Sequence, residues 1–553
     1  MRAASNSNTS TSTRRLPAWA PLRAPLFRAL WLAALASNVG TWMHEVGAAW
    51  LMTSLSKDAQ LNALVAAAGS LPMFLLALPS GALADIIDRR KLMIATQTWA
   101  LVITGTLAGL TFFGLVNPPV LLFFTLLLSI GSALSGPAWQ SIIPEIVKKK
   151  EMSAAIALGS VSWNMARVLG PTLGGVLIGI LAPHVGNVKA PGAVFALNAI
   201  SFSGVVMFLV SWNRAPRDSD LPPEHLTGAI KTGLRFARHS PELRAILTRI
   251  GGYILPSSAL WAMLPLHART NLGLDATGYG TLLGFFGAGA IVGGIGFERL
   301  RARFSSDTIV KIASVGTGLS FLGLSLVRDV WLARAMMAGV GLTWPLGMLT
   351  FQVAVLRNAP DWIRSRAASM FLLVFMGSMT LGAFGWGAIA RQIGIPHAFW
   401  LAALGLWVSI PVLWRWKIPE TPQNFAPSQH WPDPVISREP APDDGPVLIT
   451  TEYQIEPQNA RDFVLAMQPV RLMRLRDGAL RWNLFQDGAE PSRWVETMLV
   501  ESWNEHLRQH ARVSHDSEQL EAQVREFHVG GEAPRVSHLI AAKARNFEAE
   551  AEE

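Results

Sequence analysis

The sequence predicts an all-α membrane protein of twelve transmembrane helices in two six-helix halves, followed by a small C-terminal α+β domain of ferredoxin-like strand order. Three observations carry this. Half of the 553 residues are hydrophobic and only 15% are charged, against roughly 25% charged in an ordinary soluble domain. The uncharged runs are long: 59–84 and 92–144 hold no Asp, Glu, Lys or Arg. The charge is also divided. Residues 1–445 carry 35 Lys and Arg against 20 Asp and Glu, and residues 446–553 carry 12 against 18.

In chain order, residues 1–25 hold a Ser/Thr/Asn run, then Arg14, Arg15 and three prolines, and read as a disordered N-terminus. Apolar segments then follow at 29–53, 60–84, 92–116, 119–143, 154–182 and 192–213, and again at 244–269, 277–297, 307–327, 329–353, 367–392 and 395–416. A span needs roughly 20 apolar residues, so the run 92–144, divided by Asn117-Pro118-Pro119, makes two. The halves are 26–213 and 244–417. Alternate loops hold the bases Arg89-Arg90-Lys91, Lys148-Lys149-Lys150, Arg299/Arg301/Arg303 and Arg357/Arg364/Arg366. Cytoplasmic loops carry such an excess, which puts both termini in the cytoplasm of a plasma (inner) membrane protein. The basic balance thus reads as membrane orientation and not as nucleic-acid binding. The central loop 214–243 places Ile230, Leu234 and Ala237 on one helical face and Lys231, Arg235 and Arg238 opposite, as expected of an interfacial amphipathic helix or of a solvated linker helix.

Residues 418–446 are proline-rich and form a semi-stiff linker. Residues 447–545 alternate and turn as β-α-β-β-α-β. The stretch 546–553 is an acidic tail. His506 and His510 lie one helical turn apart, but no third metal ligand is evident, so no metal and no cofactor is expected. There are no cysteines, which excludes disulfides and thiolate chemistry. No phosphate-cradling GxxxxGK[ST] loop is present, so ATP-driven transport and enzymatic activity are not expected.

The halves repeat. Gly81 and Asp85, followed by Asp88, Arg89 and Arg90, are echoed 213 residues later by Gly294 and Glu298, followed by Arg299 and further arginines. Gly170 aligns with Gly382, and Gln140 with Gln352, at an offset of 212. Duplication of a six-span half is the economical explanation. An acid at a span's cytoplasmic end needs a cationic or helix-terminal partner, so the charges are expected to latch the two halves together on that side.

The stretch "GALADIIDRR" resembles the loop 2–3 signature of the major facilitator superfamily, with Ile86 where a basic residue is usual and Asp88 where glycine is usual. "ARVLGPTLGG" resembles that superfamily's fifth-span antiporter signature: Gly170, Pro171, Gly174 and Gly175 match, and Ala166 replaces a glycine. "FRALWLAALASNVGTWMHEVGAAWLM", "PAWQSIIPEIVKKKEMSAAIALGSVSWNMARVLGPTLGG" and "TGLRFARHSPELRAIL" are similar to the branch holding the enterobactin exporter and the transmembrane secretion effectors. The resemblance implies the major facilitator fold, alternating access, and export in place of import. The tail resembles antibiotic-biosynthesis monooxygenases, which implies dimerisation or regulation through the C-terminal domain.

Ionisable residues inside spans are functional hypotheses by default. His44 and Glu45 sit midway along the first span; either can carry a proton, but neighbours lie about 100° apart, so one at most faces a central cavity. Arg167 can bind an anionic substrate or pair with Glu45 or Glu145. Asn38 and Asn164 can line the cavity. Glu145 and Asp361 sit at cytoplasmic span ends, where they can support gating pairs. The expected function is proton-coupled export of a small amphiphilic molecule such as a siderophore, drug or metabolite, with protons and the lipid bilayer as partners. The alternatives are an importer or lipid transporter of the same fold, or a membrane-tethered enzyme or sensor acting through the C-terminal domain.

Overall fold

The computed structural model describes residues 19–542 except 213–225, 361, 421–423, 429, 433, 435, 437–439, 442 and 443. Side chains at 78, 81, 82, 84–86, 137, 140, 141, 143–145, 149, 226–230, 232 and 511 are not described either. The expectations for Gly81, Asp85, Gln140, Glu145, Asp361 and the acidic tail 546–553 therefore lie outside the described residues.

Six long helices build the first half: α1 (Pro25–Leu55), α2 (Ala59–Ile86), α3 (Arg89–Phe112), α4 (Pro118–Ile146), α5 (Met152–Val185) and α6 (Pro191–Ser211). The short helix α7 (Leu226–His239) leads into α8 (Pro241–Ser257), α9 (Ala259–Thr270), α10 (Ala276–Arg301), α11 (Ser306–Leu326), α12 (Val330–Arg357), α13 (Arg364–Ile393) and α14 (Ile395–Val412). Ten of these, all but α1, α7, α8 and α9, are long and apolar enough to cross a membrane. Helix α1 is 31 residues long, but Asn38, His44 and Glu45 dilute its apolar character. The apolar segment at 244–269 is divided at Ser258, just after Pro256, into α8 and α9, each too short by itself. Proline removes an i→i−4 hydrogen bond and crowds the preceding turn.

Helix starts are fixed by short polar side chains. Asp58 accepts from the Gln60 and Leu61 amides, Asp88 from Lys91, Asp275 from Gly278 and Asp329 from Leu332, each satisfying donors that a helix N-terminus leaves free. Glycines allow the close crossings that membrane helices use. In the first half α1 packs on α5 and α6, α2 on α4, and α3 on α4 and α6. In the second, the α8–α9 pair packs on α13 and α14, α10 on α12, and α11 on α12 and α14. This is the same pairing displaced by six spans. The duplicated glycines obey it too: Gly170 lies against Val39 and Trp42 of α1, and Gly382 against Leu255 and Ser258 at the α8–α9 junction. The halves meet through α2 with α13 and α5 with α10. The face holding the starts of α1 and α8 and the end of α14 is termed the terminal face, and the opposite one the far face.

Helix α7 lies on the terminal face and buries Ala237 of the expected apolar face but not Leu234. Gly233, Phe236 and Ala237 are buried, whereas Leu234 is exposed. The cause is its packing partner. Gly233 meets Met370 and Arg366 of α13 or its approach, Phe236 meets Trp362, and Arg235 pairs at 3.5 Å with Glu505 of the C-terminal region.

The C-terminal region holds β1 (Val447–Gln454), α15 (Ala460–Asp477), β2 (Arg481–Gln486), β3 (Arg493–Val500), α16 (Trp503–Arg512), α17 (His515–Arg525) and β4 (Arg535–Ile540). The sheet order is β2-β3-β1-β4 with every neighbouring pair antiparallel. This is the split β-α-β arrangement expected of the β-α-β-β-α-β string, with two helices in the second crossover in place of one. Part of the proline-rich stretch is built onto it: the Ser428 amide donates to the Val513 carbonyl and that of His515 to Ala426.

Candidate functional site

The phase of α1 separates the two ionisable neighbours. Gly40 and Gly47 press against Asn198 and Phe195 of α6, so His44, between them on the same stripe, is buried within the first half with its ring 4.6 Å from Phe195. Neither of its ring nitrogens has a partner. Asn38, Trp42 and Glu45 form a second stripe. The Asn38 amide donates to Ser162 at 3.4 Å and Trp42 meets Trp163 at 6.0 Å, both on α5. Glu45 is exposed. Asn164 is exposed and donates to the Ser160 carbonyl of its own helix.

Arg167 also crosses the boundary. Its guanidinium lies 5.2 Å from the ring centre of Phe286 on α10 and 5.6 Å from that of Trp344 on α12. Trp261 of α9 meets both rings edge-on, at 5.5 and 6.5 Å. Among the described residues no acid pairs with Arg167: Nε and Nη2 are buried without a hydrogen-bond partner. The aromatic surround explains why, since Phe and Trp faces attract a guanidinium without accepting a strong hydrogen bond. Sequence reasoning missed Trp261, Phe286 and Trp344. Among 21 tryptophans and 25 phenylalanines nothing local marks them.

The Gly-Pro segment serves two neighbours. A Cβ at Gly170 would lie 2.5 Å from Trp42 Cβ, and one at Gly174 would lie 3.1 Å from Met43 Cα. Gly175 turns the other way: its Cβ would lie 2.6 Å from the Ala276 carbonyl and 2.8 Å from Gly280 Cα of α10. Gly280 in return meets the Pro171 carbonyl. This close approach is confined to the far half. Gly159 of α5 and Gly294 and Gly296 of α10, toward the terminal face, have no neighbour within 4 Å of a Cβ position.

Polar contacts close the far face as well. Arg269 donates to the Thr53 and Ser54 hydroxyls at 3.0 and 2.6 Å and lies over Trp50, which stacks on Tyr279. Arg391 pairs with Asp58 at 3.4 Å, and Ser70 and Thr380 share a buried hydrogen bond of 2.8 Å. Each joins the two halves. On the terminal face some charges are tied within one half. Arg90 donates from Nε to Leu209 and from Nη2 to Val210, both at 2.7 Å, tying α3 to the end of α6 within one half. Glu298 pairs with Arg301 of its own helix at 3.7 Å, and Arg299 is exposed. Asp88 caps α3, and Arg89 is the helix's first residue.

The C-terminal region buries a charged network. Arg474 on α15 reaches Glu496 of β3 at 3.1 Å and Glu521 of α17 at 2.7 Å. Tyr453 and Trp482 donate to Glu496, and Trp431 donates to Glu521 while lying 4.9 Å from the Arg474 guanidinium. Burial alone would raise the Glu521 carboxyl, but Arg474, then His430 and Trp431, outweigh it and hold it at about 2. His506 sits beside His510, with Nε2 atoms 3.3 Å apart, and beside His538, with ring centres 4.7 Å apart. Burial, then these two imidazoles, pull His506 down to about 3. Among the described residues no group of three or more His, Asp or Glu is placed to hold a metal ion. His538 joins the pair from a strand that sequence spacing did not connect to it.

Both depressions carry the same sign. The unfolded chain takes up a proton at His506 below 6.5, and the folded one refuses it down to about 3. Stability therefore falls as pH drops through that window. Glu521 adds a second loss between 4.5 and about 2. Thermal unfolding of the C-terminal region should accordingly weaken from about pH 6.5 downward, and His506→Gln should flatten the limb above pH 5. An unchanged acid limb in that variant would refute the assignment.

A profile of the family described as transmembrane secretion effector matches residues 16–546. The multidrug efflux pump Tap of Mycolicibacterium fortuitum is 24% identical over 400 residues, 71% of this chain and 94% of that protein. The enterobactin exporter EntS of Salmonella typhi is 26% identical over 321 residues, 56% of this chain and 72% of that protein. In fold, the chain is similar to a bacterial homologue of the human lysosomal transporter Spinster in an inward-facing, occupied conformation. That likeness has a TM-score of 0.57 at 15% identity over 72% of this chain and 97% of that one.

Proposed function

We propose, since this chain belongs to the transmembrane secretion effector family of major facilitator transporters, that it exports a small amphiphilic molecule across the bacterial inner membrane by proton-coupled alternating access. In this reading the α8–α9 pair acts as one span and α1 as another, making twelve. The terminal face is cytoplasmic, as its arginine-rich loops suggest. The observation that supports alternating access best is the asymmetry of α5 against α10: backbone contact at Gly175 and Gly280, open space at Gly294 on the same face of α10. The chain is then in its inward-facing state, with the far face sealed by Arg269, Arg391 and the glycine crossing. In this reading Asp85, Asp88, Arg89, Arg90, Glu298 and Arg299 form the cytoplasmic latch that the repeated pattern suggests.

Glu45 is the coupling residue in this reading. It is exposed, whereas His44 is enclosed by α6. Resemblance to efflux pumps and a siderophore exporter supports the outward direction. The test is uptake into inverted membrane vesicles with an acidified lumen, screened over siderophores and dyes. Wild type should accumulate a substrate only with the gradient, and Glu45→Gln should reduce that uptake at least tenfold while the protein remains folded. Uptake that ignores the gradient, or a fully active Glu45→Gln, would leave a facilitator as the better description.

A further inference from the structure

Arg167 carries a charge that its surroundings leave unanswered. Nε and Nη2 are buried with no hydrogen-bond partner. These two nitrogens form one edge of the guanidinium, the edge that meets a carboxylate with two parallel hydrogen bonds. Buried donors, charged ones above all, are costly to leave unmade. A purely structural cation would have its acid in place, as Arg249 has Asp307 at 2.6 Å and Arg391 has Asp58. Around Arg167 the protein supplies rings: Phe286 and Trp344 against the cation, and Trp261 edge-on to both. Binding sites for small molecules combine such apolar walls with a few convergent polar groups.

We propose that the transported molecule is an aromatic anion. Its carboxylate, or an oxyanion pair of similar spacing, takes the free edge of Arg167. Its ring packs among Trp261, Phe286 and Trp344. Because these residues come from α5, α9, α10 and α12, the ligand touches both halves, and its binding is sensitive to how they are rocked. The inference rests on the reading of the chain as a transporter and specifies what that transporter carries.

The test is equilibrium binding of radiolabelled 1-naphthoate to the purified full-length protein in lipid nanodiscs, with 1-naphthamide and 1-naphthylmethylammonium as competitors of nearly the same shape. Naphthoate should bind, and the neutral and cationic analogues should compete at least tenfold more weakly. Arg167→Gln should weaken naphthoate at least tenfold. Arg167→Lys, which keeps the charge but loses the paired edge, should fall between. Equal competition by the amide, stronger competition by the ammonium, no naphthoate binding up to its solubility limit, or unchanged affinity in Arg167→Gln each overturns the proposal. If Arg167→Gln does not fold, the ranking of the three ligands on wild type still decides. Loss of gradient-dependent vesicle uptake with this ranking intact would instead defeat the coupling assigned to Glu45, leaving the ligand class standing.

Discussion

Gly175→Ala is expected to depopulate the far-face-closed state, and Gly175→Leu to abolish it. The added Cβ would meet the Ala276 carbonyl at 2.6 Å and Gly280 Cα at 2.8 Å. Both are backbone atoms of a long helix, so no side-chain rotation relieves the contact. Overpacking a tight site costs about 1–3 kcal/mol, which at about 1.4 kcal/mol per tenfold shifts the equilibrium between roughly fivefold and a hundredfold. The chain has no cysteine, so a single reporter labels without background. Ala63→Cys suits this, because Ala63 is fully buried against Gly387 of α13, across the boundary between the halves. Its maleimide labelling should accelerate at least fivefold when Gly175→Ala is added, and transport should slow in parallel. Unchanged labelling would show that the α5–α10 crossing does not set the state.

Arg474→Ala is expected to unfold the C-terminal region at 37 °C. The substitution strands Glu496 and Glu521, both almost fully buried. Removing one partner of a buried ion pair costs about 3–5 kcal/mol, against a total of about 5–15 kcal/mol for a typical domain. For a unit of this size that is a fall in melting temperature of more than about 10 °C. Limited proteolysis of the full-length protein should then release fragments from 447–542 while the helical spans survive. Adding Glu496→Gln and Glu521→Gln to Arg474→Ala should recover part of the loss, because the stranded charges disappear. A single variant as stable as wild type would mean that Tyr453, Trp482, Trp431 and His430 satisfy the two carboxylates alone.

Much of the fold was legible because its determinants are local or periodic. Charge-free runs such as 92–144 mark spans irrespective of their neighbours. The Gly-Pro segment announced a close crossing, and alternation in 447–455 announced a strand. The six-span repeat was visible at Gly170 and Gly382 because a backbone crossing accepts almost no other residue. What stayed hidden depends on absolute helical phase and on partners far away in sequence. That His44 and Glu45 diverge follows from the 100° step; which of them faces α6 does not. Arg167 was recognisable as costly in a membrane, but its cage comes from α9, α10 and α12, where each ring looks like ordinary packing. Leu234 and Ala237 share the apolar face of α7 in the sequence, but only Ala237 is covered by protein, because the neighbouring segments it meets lie far away in the chain.

The docking of the C-terminal region has a mechanical consequence. Its described attachments are Arg235 of α7 to Glu505, and Trp362, at the approach to α13, under Arg512 at 4.3 Å. Both anchor points adjoin the second half. The soluble body is thus a pointer fixed to one jaw of the machine, and a small rotation at the hinge becomes a large arc at its rim. Fluorophores on that rim and on the arginine-rich loop after α2 would follow single turnovers in real time. In the proposed alternating-access cycle, a partner that grips the pointer would slow the rocking of the halves.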